Sequence, residues 1–156
     1  MKSIYIHKVF CTLAIFIFLF SFSCEATKKT SGETKNSEME KITLTKTGMG
    51  GSTSLEISDK ETSFASFGRT NNIQPVKTET LDKNWEELNR LVSELDLSQM
   101  ESWEGPTQAR FYDGARATTI SITAEGATYN SQSFDEGKPP AELEELYNYL
   151  ESLENQ

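Results

Sequence analysis

The side chains that ordinarily carry covalent or acid–base chemistry are scarce in this chain and crowd its start. Its 156 residues hold two cysteines and one histidine: His7, Cys11 and Cys24. Beyond Cys24 there is neither an imidazole nor a thiol. For that stretch this excludes Ser-His-Asp and Cys-His constellations, histidine zinc sites and the commonest general base at neutral pH. Carboxylates remain. Glu142, Glu144, Glu145, Glu151 and Glu154 line the C-terminal segment, but a charge run beside an apolar stripe marks a solvated helix face. A glycosidase pair needs a deep cleft lined by aromatics, and a small domain with two tryptophans offers little room for one. "TGMGGST" lacks the Gly-Lys-Ser/Thr that opens a helix in a phosphate-binding loop, so it reads as a turn. "DEGKPP" and "DGARAT" lack the regular oxygen alternation of a calcium loop. The expectation is a protein without cofactor or metal, and not an enzyme.

One cluster points to binding instead. In "WEGPTQARFYDGAR", residues 103–116, Trp103, Phe111 and Tyr112 stand with Arg110, Asp113 and Arg116 in a mostly irregular stretch. Exposed aromatics and arginines in one loop are the composition of an interface hot spot. Trp103, Arg110, Tyr112, Asp113 and Arg116 are therefore the candidate partner-binding residues. The simpler alternative has Trp103 and Phe111 plugging the end of the core while Asp113-Gly114 makes a turn. Should the cluster prove structural, the Gly-rich turn at 48–51 is the next place to look.

The positioning elements begin at the N-terminus. Lys2, His7 and Lys8 precede an apolar run from Val9 to Phe20, followed by Ser21, Phe22, Ser23 and Cys24. A basic start, a short hydrophobic stretch and small residues before a break describe a secretory signal peptide over 1–23. From Val9 to Ser23 a helix would reach about 22 Å, short of the roughly 30 Å hydrocarbon core. "SFSCE" resembles the relaxed lipobox of Bacteroidota-type lipoproteins, with Ser23 before the cysteine but Ser21 where Leu is usual. The resemblance implies acylation of Cys24, residence in the bacterial cell envelope and, with Glu25 rather than Asp following, an outer-membrane destination; the periplasmic or surface face stays open. Several acyl chains anchor durably where one holds only marginally.

Residues 24–40 follow as the lipidated cysteine and a tether. "EATKKTSGETKNSEME" has no aromatic or β-branched aliphatic residue, a composition that cannot offset its own ordering entropy. The whole chain carries a net charge of −9; losing Lys2 and Lys8 with the leader leaves 13 basic against 24 acidic residues, or −11. That balance repels nucleic acid. Residues 41–156 read as a single domain. "KITLTKT" and "TSLEIS" alternate as half-buried strands. "TSFASFG" is a weaker strand with Phe64 and Phe67 on opposite faces, and "QPVKTET" another with Pro75 at an edge. Trp85, Leu88, Leu91, Val92 and Leu95 form one stripe on a helix over 82–95, with Thr80 or Asp82 to cap it. A short extended piece is expected at 109–112, then a hairpin in which Ile120, Ile122 and Ala124 share a face and Glu125-Gly126 turns. A closing helix buries Leu143, Leu146, Tyr147, Leu150 and Leu153. This order predicts an α+β fold: an antiparallel sheet of about four to five strands with two helices on one face.

"KITLTKTGMGG", "LDKNWEELNRLVSELDLSQM" and "ATTISITAEGATYNSQSFDEGKPPAELEELYNYLESL" together resemble the emfourin-type inhibitors of thermolysin-like metalloproteases. The shared order is a Gly-rich first turn, a helix ending near an Asp, a hairpin and a Pro-Pro helix. The chain is also similar to Bacteroidota lipoproteins with the same "YDG…FD-G-PP" ending. The first resemblance implies an inhibitor whose partner is an exported metalloprotease. Together with the lipobox reading, the expectation is a membrane-tethered, non-catalytic binding module, and a monomer. The alternative is an envelope lipoprotein that is structural or ligand-binding and docks into a larger assembly.

Overall fold

A computed structural model of the chain describes residues 39–68, 72–112 and 114–154. The leader, Cys24, most of the tether and Asp113 lie outside the described residues. Seven strands form one antiparallel sheet: β1 (Met39–Gly48), β2 (Gly51–Ser58), β3 (Glu61–Gly68), β4 (Asn72–Glu79), β5 (Ala117–Ala124), β6 (Ala127–Asn130) and β7 (Phe134–Asp135). Their order is β4-β3-β2-β1-β5-β6, with β7 also paired to β5. Helix α1 (Asp82–Ser93) follows β4, and α2 (Glu144–Glu154) closes the chain. Among the described residues, no helix is long and apolar enough to cross a membrane.

Alternation decides what the sheet buries. Ile42 and Leu44 of β1 stand opposite Ile57 and Leu55 of β2 and opposite Ile122 and Ile120 of β5. These six side chains pave one face, and all are buried. Both helix stripes meet that face in one core: Leu88, Leu91 and Val92 from α1, with Leu146, Tyr147 and Leu150 from α2. On the helices' exposed sides Arg90 reaches Glu87, Glu94 and, across to α2, Glu145 at 2.9 Å. Solvated pairs of this kind add little stability. The opposite face of β1 and β5 carries Thr43, Thr45, Thr119, Ser121 and Thr123, small hydroxyls that suit a solvated pleat.

The sheet is larger than the four to five strands expected. β7 is two residues long, too short to show any period, yet it places Phe134 fully buried with its ring edge-on to Tyr147 at 5.5 Å. Gly105 permits this approach, since a Cβ there would lie 2.7 Å from Phe134 Cβ. β1 also begins earlier than expected. Met39 is buried and Glu40 accepts a hydrogen bond from the Gly126 N–H at 2.7 Å, so both belong to the domain and not to a tether.

Two local expectations are corrected. Neither Thr80 nor Asp82 caps α1: the N-cap is Leu81, which has no side chain to accept with. The Thr80 hydroxyl instead meets Thr62 Oγ1 at 2.9 Å, tying the helix start to β3. Residues 109–112 are a turn of 3-10 helix rather than an extended piece, because a buried carboxylate gathers two successive backbone N–H groups there.

Candidate functional site

That carboxylate is Asp135. β7 pairs it with Ala117 beneath the 103–116 segment. It accepts from Thr107 Oγ1 at 2.6 Å, the Ala109 N–H at 2.6 Å, the Arg110 N–H at 2.9 Å and Arg110 Nη1 at 3.1 Å. Desolvation alone would push its carboxyl up; the bonds from Thr107 and from the backbone and guanidinium of Arg110 outweigh it and hold the group well below the usual carboxylate range. The segment is thus wound around a fixed negative charge.

Arg110 is committed by this arrangement. Its guanidinium also donates to Thr107 O at 3.0 Å and lies 4.4 Å from the centroid of the Phe111 ring. Trp103 is partly buried and packed against the core. With these two occupied, the neighbouring aromatics turn outward: Phe111 is 66% exposed and Tyr112 86%. Of the two residues read as core plugs, Trp103 packs inward and Phe111 does not. Asp113 lies outside the described residues.

Arg116 links the segment to the Gly-rich turn. Its Nη2 donates to Thr53 Oγ1 at 2.6 Å and to Lys46 O at 3.4 Å, while Nη1 stands 3.5 Å from Glu136. Met49, 73% exposed, caps the β1–β2 turn beside it. Two concavities meet at Arg116. One, of 390 Å³, is lined by Thr47, Met49, Arg110 and Arg116 among others. The other, of 240 Å³, includes Gly51, Thr53, Phe67 and Arg116. Gly51 is obligatory to the second: its φ of 141° and a would-be Cβ 2.1 Å from Phe67 O leave no room for a side chain. Two places that the sequence offered as alternatives, the aromatic and arginine loop and the Gly-rich turn, are here one surface.

Beneath that surface lies a group that sequence reasoning missed. Lys46 occupies the inward parity of β1 after Ile42 and Leu44, and its side chain is 5% exposed. Its Nζ is 2.6 Å from Glu151, 3.8 Å from Glu136 and in contact with Glu154. Desolvation lowers its pKa, but the bonds to Glu151 and Glu154 prevail and raise it. The ammonium therefore stays charged and fastens the last turns of α2 to the sheet. Burial and then Glu151 push the Tyr147 hydroxyl up, so it remains protonated while accepting from the Gly137 N–H at 2.9 Å. The signal for Lys46 was present in the alternation of "KITLTKT"; that for Asp135 was not, since its partners lie 25 to 28 residues away.

Chemically the arrangement offers exposed aromatics, a thioether and an arginine around shallow hollows. Asp135, Glu136, Glu151 and Glu154 are each engaged by a cation or by backbone N–H groups. Among the described residues, no group of His, Cys, Asp and Glu is placed to hold a metal ion. No family model and no curated protein matches the chain.

Proposed function

We propose that the folded domain is a non-catalytic protein-binding module, held at a bacterial envelope membrane through acylated Cys24. Its docking surface is the end of the sheet where the β1–β2 turn meets the 110–116 loop. The observation that carries this reading is the convergence of Met49, Phe67, Arg110 and Arg116 on adjoining hollows, beside a loop that turns Phe111 and Tyr112 outward. Interface hot spots combine aromatic anchors with arginine in this way. Arg110 and Trp103 serve the surface by holding it, through Asp135 and the core, and Tyr112, Phe111, Met49 and Arg116 supply its contacts.

The specific partner is an exported thermolysin-like metalloprotease, which the module inhibits. The test is inhibition of such a protease by the full chain, followed by Tyr112→Ala and Met49→Ala. Each substitution is expected to weaken inhibition by about 1–2 kcal/mol without lowering the unfolding midpoint. Unchanged protease rates at saturating chain would overturn inhibition and turn the search to a larger envelope assembly. Turnover of a substrate, abolished by one carboxylate substitution, would overturn the non-catalytic reading.

A further inference from the structure

At one end of the sheet order stands β4, an eight-residue strand whose side chains from Ile73 to Glu79 are all exposed. The opposite end is different: β6 has four residues, and Gln132 just beyond it is tied to Glu101 O at 2.8 Å. The direction of β4's backbone groups follows from its pairing with β3. The Thr80 N–H donates to Lys60 O at 3.2 Å, and the register runs on through Glu79 with Glu61, Thr78 with Thr62 and Lys77 with Ser63. Hydrogen-bonded and non-hydrogen-bonded pairs alternate along an antiparallel ladder. Thr80 and Thr78 thus bond inward, and Lys77 and Glu79 aim their N–H and C=O groups away from the sheet. Pro75 falls in the register shift between the Val76–Phe64 and Ile73–Ser66 pairs, where a strand tolerates its missing N–H.

We propose that β4 pairs antiparallel with β4 of a second copy of this chain, about a two-fold axis through Thr78. In that register Lys77 of each copy lies opposite Glu79 of the other, and the two residues exchange both backbone bonds. Opposite charges directly across a strand pair stabilise it, and like charges destabilise it. Thr78 meets its own symmetry mate, and exposed Leu81 comes beside Pro75 of the other copy. Lys77 keeps its intramolecular contact with Glu61 at 2.8 Å, on the β3 side of the same face. An unrelated extended peptide could use the same outward N–H and C=O groups, but nothing would match its charges to Lys77 and Glu79. The +/− order along β4 is its own complement when reversed, which selects a second copy. The sequence alone had suggested a monomer.

The two-fold axis offers a direct test. Cα atoms of a non-hydrogen-bonded antiparallel pair are about 4.5 Å apart, within disulfide reach. The full chain carrying T78C, treated with a mild oxidant, is expected to form a disulfide-linked dimer above the background of the parent chain with its native cysteines. Adding K77E or E79K places like charges opposite each other, and the dimer should fall to that background. Mixing the T78C/K77E and T78C/E79K chains restores both opposite-charge pairs, so the cross-link should return as the heterodimer alone. A T78C chain that cross-links no more than its parent overturns the proposal. So does a cross-link insensitive to K77E and E79K, or a mixture that fails to recover it.

Discussion

Strands β1, β2 and β5 bury Ile42, Leu44, Leu55, Ile57, Ile120 and Ile122 beneath both helices, whereas β3 and β4 bury almost nothing. The register carries the helix-side face onward through Phe64 to Val76, and through Ser66 to Ile73. Yet Val76 is 55% and Ile73 47% exposed. The same sheet is therefore a core wall on one side and a wing on the other. Antiparallel pairing joins both, with one register shift in each, between Met39 and Lys41 and between Phe64 and Ser66, so the ladder does not distinguish them. Stability should follow burial, and the wing and the turn-and-loop end are left available for contact.

The strongest way to break this contrast is to cut into the wall. Leu91→Ala and Leu146→Ala should each cost about 2–5 kcal/mol in urea unfolding, the usual range for truncating a buried leucine. Losses near zero at both sites would dissolve the distinction. Lys46 tests whether the wall's polar end matters as much. Lys46→Met leaves Glu151 and Glu154 without their cation and should cost about 2 kcal/mol, less than a deeply buried pair because both carboxylates reach some solvent. The sign in pH is set by its raised pKa. The contribution is full below the ordinary lysine value of 10.5 and is lost as pH rises through the higher folded value. Lys46→Met should flatten the alkaline fall in melting temperature.

Asp135 probes the loop end from the acid side. Its folded pKa is depressed, so its stabilisation is present above the ordinary value of 3.8 and drains away as pH falls below it. Asp135→Asn should lower the melting temperature at pH 7 and shrink the difference between pH 7 and pH 3. An unchanged acid slope would place the origin of acid sensitivity elsewhere. The smallest effect belongs to the wing: Val76→Ala should alter unfolding by no more than about 0.5 kcal/mol, as for other surface positions. A loss comparable with Leu91→Ala would mean that the wing is covered in the folded protein.

Several of these features were legible before any fold was known. The stripes of Leu88, Leu91 and Val92 and of Leu146, Tyr147 and Leu150 and the alternation of Ile120 and Ile122 follow from periods of 3.6 and 2 along the chain. The Glu125-Gly126 turn follows from a glycine between two alternating runs. The candidate loop was legible as composition only. Its aromatics and arginines looked equivalent, but Arg110 and Trp103 are held by the interior while Tyr112 and Phe111 face out. Trp103 is held by the core and Arg110 by Asp135, which lies in a strand too short to announce itself.

By itself the sequence determined the kinds of chemistry within reach. A chain with no cysteine or histidine after Cys24 keeps that property in any fold, and apolar stripes report on helices and strands because periodicity is local to each element. Only the tertiary structure decided which charges are buried and what they hold. Lys46, Glu136, Glu151 and Glu154 are separated by up to 108 residues yet share one pocket, and Asp135 winds a loop that begins 28 residues before it. A buried charge needs partners, and here they come from segments far away along the chain. That condition is a property of their packing in space, and no window along the chain contains it.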